Sequence, residues 1–250
     1  MHTNELFTKK TVFSFEVFPP KRDTPIESVY PTLDELSKIR PDFISVTCGA
    51  GGQGSNRTTE VATYIKNLGC ETVAHMPCIY LTEEEALETL EELKARGIEN
   101  ILALRGDETR EENGPIALNM PATSSPSLRK KSRNSTSLAP AIPRPCRSQD
   151  RRCDIRNLKT KVDAGASELI SQMFFDNTVF YRFRERCEIA GIKVPIEAGI
   201  MPVMNAKSVL NMSNKCQSKV PEKLGIMLDK WGGDKALLKE AGIAYASEQI

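Results

Sequence analysis

The sequence predicts an α/β fold of the (β/α)8 TIM-barrel class, in an incomplete form: the last βα unit is missing and the region of the fifth strand is scrambled. Three observations predict it. Strongly apolar strand-like runs alternate with helical periodicity through most of the 250 residues, and repeated βα units with apolar strands imply a parallel sheet covered by helices. The length lies near the usual size of such a barrel. No G-x-G-x-x-G follows a strand into a helix, which disfavours an open doubly wound sheet. Residues 1–250 read as a single domain with an irregular segment at about 117–153.

The first strand is Thr11 to Phe18, an aromatic and β-branched run that reads as buried and that Pro19-Pro20 stop. Thr24 to Ile39 carries Ile26, Val29, Leu33, Leu36 and Ile39 at helical spacing. Phe43 to Cys48 is the second strand, ending in the Gly-rich Gly49-Ala50-Gly51-Gly52. Thr58 to Leu68 is a helix that Gly69 stops, and Thr72 to Cys78 is the third strand. Thr82-Glu83-Glu84-Glu85 is a capping box, because Thr82 and Glu85 can satisfy each other's free backbone donors. The helix it opens buries Ala86, Leu87, Leu90 and Leu93 and ends at Gly97. Asn100 to Asp107 is the fourth strand with its outgoing loop.

The alternation resumes with a helix from Asp154 to Ala164, a strand from Leu169 to Phe175, a helix from Asn177 to Ala190 and a strand from Pro195 to Pro202. From Ala206 onward the pattern is helical, with a break at Trp231-Gly232-Gly233.

Composition narrows the function classes. The net charge is +1, so nothing global points to nucleic acid or an anionic membrane. No apolar run is long enough to span a bilayer, and the N-terminus lacks a signal-peptide pattern. Seven scattered cysteines with no C-x-x-C pair suit reduced thiols in the cytoplasm. With only two histidines a multi-histidine metal site is not expected.

Polar residues fall where a barrel builds its site. Glu16, Thr47, His75, Asp107 and Gln172 each lie in or just after a separate predicted strand. Strand ends converge at one mouth of a barrel. Glu16 stands out, because a carboxylate in an apolar strand is costly unless bonded or functional. Desolvation would raise its pKa toward the range a general acid needs. The plainer alternatives are a satisfied buried glutamate or a strand-end glutamate that reaches water.

Five runs carry a family resemblance: Phe13 to Pro20, Ser45 to Ala50, Ala103 to Asp107, Asn157 to Ala166, and Gln172 to Asp176. In order and spacing they resemble methylenetetrahydrofolate reductase, over about residues 10–107 and 154–250. The resemblance implies a flavin-binding barrel that reduces 5,10-methylenetetrahydrofolate to 5-methyltetrahydrofolate, with FAD as cofactor and NADH or NADPH as reductant. It implies Glu16 as general acid and Asp107 beside flavin and pterin. It implies Thr47, Cys48, Ala50, His75, Arg105 and Gly106 as contacts to the flavin and nicotinamide. Asp154, Asn157 and Lys161 match the helix that holds the FAD ribose and diphosphate, and Gln172 matches a residue shared by folate and nicotinamide. Without the resemblance His75 reads as a bonded strand histidine, and the three helix residues as a solvated face. The implied partner is a small folate, with no nucleic acid, membrane or metal, and a homo-oligomer is compatible with it.

Three departures stand against that pattern. Residues 119–153 contain Pro121, Pro126, Pro140, Pro143 and Pro145 among serines and basic residues, so periodicity is lost. Codons can be chosen for Thr136 to Pro145 whose shifted frame spells ISGACYPEA, similar to the family's fifth strand. A shift of the same sign over Asn119 to Arg129 gives YASDLVSLIK, a plausible family helix. The expectation is a frameshifted stretch, which the nucleotide sequence across codons 115–155 tests. The run Ala241 to Ile250 looks like the helix before a last strand, so the final unit is expected to be absent. Ser208 stands where the family commonly has a folate-contacting glutamine. A non-catalytic, truncated and frameshifted remnant is therefore the alternative to an enzyme. A phosphate-binding barrel lyase is a third reading, but no distinct Gly motif near the C-terminus supports it.

Overall fold

The computed structural model describes residues 1–48, 55–78, 81–104, 136–141, 151–216 and 218–250; the side chains of 55, 136–141, 151–154 and 215 lie outside that description. Every described strand pair is parallel, and strands alternate with helices as expected. The chain forms two compact units, one of Met1–Pro140 with Lys161–Glu168, the other of Ala141–Thr160 with Leu169–Ile250.

In the first unit the strands are β1 (Ser14–Val17), β2 (Phe43–Val46), β3 (Thr72–Pro77), β4 (Asn100–Leu104) and β5 (Thr136–Ala141). The helices are α1 (Tyr30–Lys38), α2 (Ser55–Asn67) and α3 (Glu83–Ala95). Register divides the strand residues between two faces, because directly paired residues point the same way. Glu16 pairs with Ser45, Ser45 with Val73, and His75 with Leu102. The opposite face holds Phe15, Val17, Ile44, Val46, Ala74 and Ile101, and these pack with Leu33, Val61, Ile65 and Leu93 of the helices as the core. The face shared by Glu16 and His75 is therefore the one turned away from α1 to α3. At the other end of the strands, the Thr3 amide donates to Asn100 Oδ1 at 3.1 Å and the Thr3 hydroxyl to Glu168 at 2.9 Å, both buried.

Local chemistry explains the boundaries. The helix expected from Thr24 splits into a 3-10 turn, Ile26–Val29, and α1. Pro31 sits in the first turn of α1, where its missing N–H costs nothing; deeper in a helix it would break the ladder. Thr82 and Glu85 form the predicted capping box: the Glu85 amide donates to Thr82 Oγ1 at 3.2 Å and the Thr82 amide to Glu85 Oε2 at 2.7 Å. Gly69 and Gly97 leave their helices at φ +83° and +74°, a conformation that favours glycine.

Two expectations are corrected. β1 is shorter than the apolar run suggested, and Phe13 and Phe18 at its ends are 49% and 60% exposed. The described partner of β1 is β2, on one edge, so its residues are half covered. Residues 136–141 form β5 in the translated frame, with Asn100 opposite Thr136, Ile101 opposite Ser137 and Leu102 opposite Leu138. Pro140 falls beyond these three pairs, so the proline does not cost the described part of the ladder a donor. The rest of the Pro-rich segment, and with it the frameshift reading, lies outside the described residues.

In the second unit β6 (Glu168–Ser171) pairs with β7 (Ile196–Glu197), Leu169 opposite Ile196 and Ile170 opposite Glu197. The helices are α4 (Arg151–Asp163), which crosses the boundary between units, α5 (Asn177–Ile189), α6 (Ala206–Cys216), α7 (Glu222–Trp231) and α8 (Lys235–Gln249). The expected break at Gly232-Gly233 separates α7 from α8; Pro221 sets the N-cap of α7, a second break that periodicity alone does not reveal. Met173, Val203, Leu224 and Leu238 are among the core residues. A Cβ on Gly242 would stand 1.8 Å from the Val203 carbonyl oxygen, so α8 can lie this close only with a bare Cα there.

Candidate functional site

Four of the predicted residues gather at the C-terminal ends of β1 to β3. Thr47 extends β2; its amide donates to the Val17 carbonyl at 3.0 Å, and its own carbonyl accepts from the Thr58 hydroxyl at 3.0 Å. Thr47 is buried, and Cys48, next to it, is half-buried and in no disulfide. Cys48, Thr58, Thr59, Thr89 and His75 line one small hollow. Ala74, Met76, Pro77, Leu81 and Leu93 complete its wall, which is mainly apolar.

Glu16 and His75 face each other. Glu16 Oε2 lies 3.8 Å from His75 Nε2, too far for a direct hydrogen bond but close for two titratable groups. The His75 side chain is 6% exposed and that of Glu16 48%. His75 Nε2 is buried and has no hydrogen-bond partner among the described residues. Burial lowers the His75 pKa to about 4, so the ring is neutral around pH 7. Desolvation by the surrounding protein also raises the Glu16 carboxyl above its ordinary value, although its tip reaches solvent. Glu16 is thus a carboxyl at a rim, open to a ligand yet enclosed enough that its pKa is raised.

Arg57, in the first turn of α2, was not singled out by sequence. Its guanidinium donates to four backbone carbonyls in the segment after β1: Pro20 at 3.1 Å, Lys21 at 2.9 Å, Arg22 at 3.0 Å and Thr24 at 3.0 Å. One signal was available. A cation in the first turn of a helix opposes the helix dipole, so such a residue calls for another use.

Gln172 belongs to the second unit. It is half-buried just after β6, and its Oε1 accepts from the Met173 amide at 2.9 Å. The Gly199 amide donates to the Ser171 hydroxyl at 2.9 Å, which ties the segment after β7 to the end of β6. Asn157 and Lys161 lie on α4, exposed and half-buried respectively; Asp154 lies on the same helix with its side chain outside the described residues. Ser208 is exposed on α6, its amide bonded to Asn205 Oδ1 at 2.9 Å. Ala50, Arg105, Gly106 and Asp107 lie outside the described residues.

Among the described residues no three of His, Cys, Asp and Glu stand together so as to hold a metal ion. Nor is any described helix long and apolar enough to cross a membrane.

Comparison with known proteins gives a consistent picture. The family model described as Methylenetetrahydrofolate reductase matches residues 2–250. A 5,10-methylenetetrahydrofolate reductase of Pectobacterium carotovorum is 34% identical over 239 residues, 95% of this chain and 79% of that protein. Methylenetetrahydrofolate reductase (NADH) 1 of Arabidopsis thaliana is 32% identical over 260 residues, 96% of this chain. The chain spans less than half of that plant relative, 43% of its length. A solved structure from Clostridium thermocellum, an uncharacterized protein that binds two copies of 5-methyl-5,6,7,8-tetrahydrofolic acid, superposes with a TM-score of 0.63. It covers 99% of this chain and 87% of that one at 13% identity, a likeness of fold.

Proposed function

The chain belongs to the methylenetetrahydrofolate reductase family, and from that premise we propose that it reduces 5,10-methylenetetrahydrofolate to 5-methyltetrahydrofolate, with Glu16 as general acid. The observation that carries the reading is the pair at the ends of β1 and β3: a carboxyl whose pKa is raised, 3.8 Å from a buried, neutral histidine. A protonated carboxylic acid at a solvent-reached rim is what the chemistry asks for. The bond from the bridging carbon to folate N10 breaks with its electron pair going to nitrogen. A neutral amine leaves poorly without a proton, and Glu16 supplies it to N10 as the bond lengthens. The iminium left at N5 can then accept hydride at the bridging carbon.

The residues fit a flavin on one count: His75 Nε2 is a buried polar atom with no hydrogen-bond partner among the described residues, on the strand face where Thr47 also ends. Bound FAD would supply hydride-transfer chemistry between a reduced nicotinamide, NADH or NADPH, and the folate. In this reading Thr47, Cys48, Ala50, His75, Arg105 and Gly106 hold the ring system. Asp154, Asn157 and Lys161 hold the ribose and diphosphate. The amide of Gln172 orients the folate and the nicotinamide in turn. Asp107 bonds the pterin and stabilises the positive charge that develops as the ring opens. The product would place the chain in one-carbon metabolism and methionine biosynthesis in the cytoplasm, where its free thiols remain reduced.

Two half-reactions test this. Purified protein should be yellow, be bleached by NADH or NADPH, and regain colour with methylenetetrahydrofolate. Glu16→Gln should leave the bleaching intact and slow recovery by about a hundredfold or more. A colourless preparation that takes up no FAD would overturn the reading. Unchanged half-reactions in the variant would remove Glu16 as the acid.

A further inference from the structure

The connection from β1 to α1 begins two residues after Glu16. Pro19 and Pro20 end the strand, and Lys21, Arg22, Asp23 and Thr24 are all exposed. The next buried side chain is Ile26, at 8% exposure. Within the loop one turn bond runs from the Thr24 amide to the Lys21 carbonyl, at 2.9 Å.

Four further bonds come to this loop from Arg57. Nη1 reaches the carbonyls of Pro20, Lys21 and Thr24, and Nη2 reaches that of Arg22. The partners are 33 to 37 residues away in sequence. Guanidinium is suited to this: it is always charged, and its planar fork directs several N–H groups at once. All its acceptors are backbone oxygens, so it fixes the path of the chain whatever side chains the loop carries. The residue sits on α2, whose Val61, Ala62 and Ile65 are fully buried. A helix anchored in the core thus holds this rim.

We propose that Arg57 is the positioning residue for the β1–α1 rim, and that through this rim it sets how a substrate meets Glu16. The catalytic part rests on the function proposed above; the clamp itself does not. Arg57 need touch no substrate. Its effect is to keep the carbonyl path from Pro20 to Thr24 in a single arrangement beside the acid.

The loop contains its own reporter. Lys21 and Arg22 are trypsin sites, and the carbonyls of both scissile bonds are held by Arg57. A protease needs those carbonyls free in an extended chain. Full-length protein, wild type, Arg57→Met and Arg57→Lys, is digested under native conditions and the cuts are located by mass spectrometry. In Arg57→Met, cleavage after Lys21 and Arg22 should accelerate by about tenfold or more, while cuts elsewhere keep their rates. Arg57→Lys keeps the charge but loses the fork, and should be intermediate. Equal rates at Lys21 and Arg22 in all three proteins would overturn the clamp. So would a uniform rise at every site with a lowered melting temperature, which marks general destabilisation. Half-reactions supply the second readout. Bleaching by reduced nicotinamide should be unchanged in Arg57→Lys, while the KM for methylenetetrahydrofolate rises severalfold. A protected loop with no folate turnover in wild type would count against the proposed function alone. Local cleavage with an unchanged folate KM would overturn the link to Glu16.

Discussion

Burial acts on Glu16 and His75 with opposite signs, because it penalises whichever form carries charge. The carboxyl is pushed up and the imidazole down to about 4, so both neutral forms are favoured together. For His75 this has a consequence for stability. Its pKa is about 4 in the folded chain against 6.5 when free, so the unfolded chain binds more protons between those values. Stability should therefore be full above about pH 6.5, fall as the pH drops through that window, and level off near pH 4. The loss is on the order of 3 kcal/mol. Glu16 opposes it weakly: a raised carboxyl pKa stabilises in acid and loses that effect as pH rises, and its half-exposed side chain limits the size. Urea denaturation of wild type and His75→Gln across this range measures the difference. Parallel stability curves for the two proteins would rule out a buried, neutral His75.

Helix α3 is legible from four letters. Thr82 and Glu85 are local in sequence, and the two reciprocal bonds need no tertiary partner. Thr82→Ala should cost about 1 kcal/mol, read as a lower urea midpoint with an unchanged slope. No change in midpoint would mean that tertiary packing alone holds the first turn. β1 shows the limit of such reading. Its apolar run suggests a strand covered on all sides, but coverage depends on what lies across the strand, and the described residues cover one edge. β5 shows the converse. Its prolines suggest a lost strand, but the residues that pair with β4 precede Pro140. A count of prolines gives no register, and register decides which donors the ladder uses.

For the whole molecule, the odd and scattered cysteines pointed to free thiols, and the five cysteines whose states are described are free. Melting with and without a reductant should give the same midpoint. A lower midpoint on reduction would reveal a stabilising disulfide and contradict a reduced compartment. The alternation of strand and helix and the parallel pairing followed from one-dimensional pattern, because each βα unit repeats the same local signals; the family followed from the five runs that resemble it. Six of the seven described strands were read near their observed places.

The sequence by itself determined the βα order, the helix caps and stops, and the residue types available at the strand ends. These rest on interactions a few residues long, or on apolar spacing that any helix or strand must obey. Only the tertiary structure decided that Glu16 stands at a half-open rim, that His75 faces it with an Nε2 unpaired among the described residues, and that Arg57 grips the loop from β1 to α1. Those facts join residues tens of positions apart. Their distances follow from how strands register and how a helix packs over them, and no local pattern encodes either.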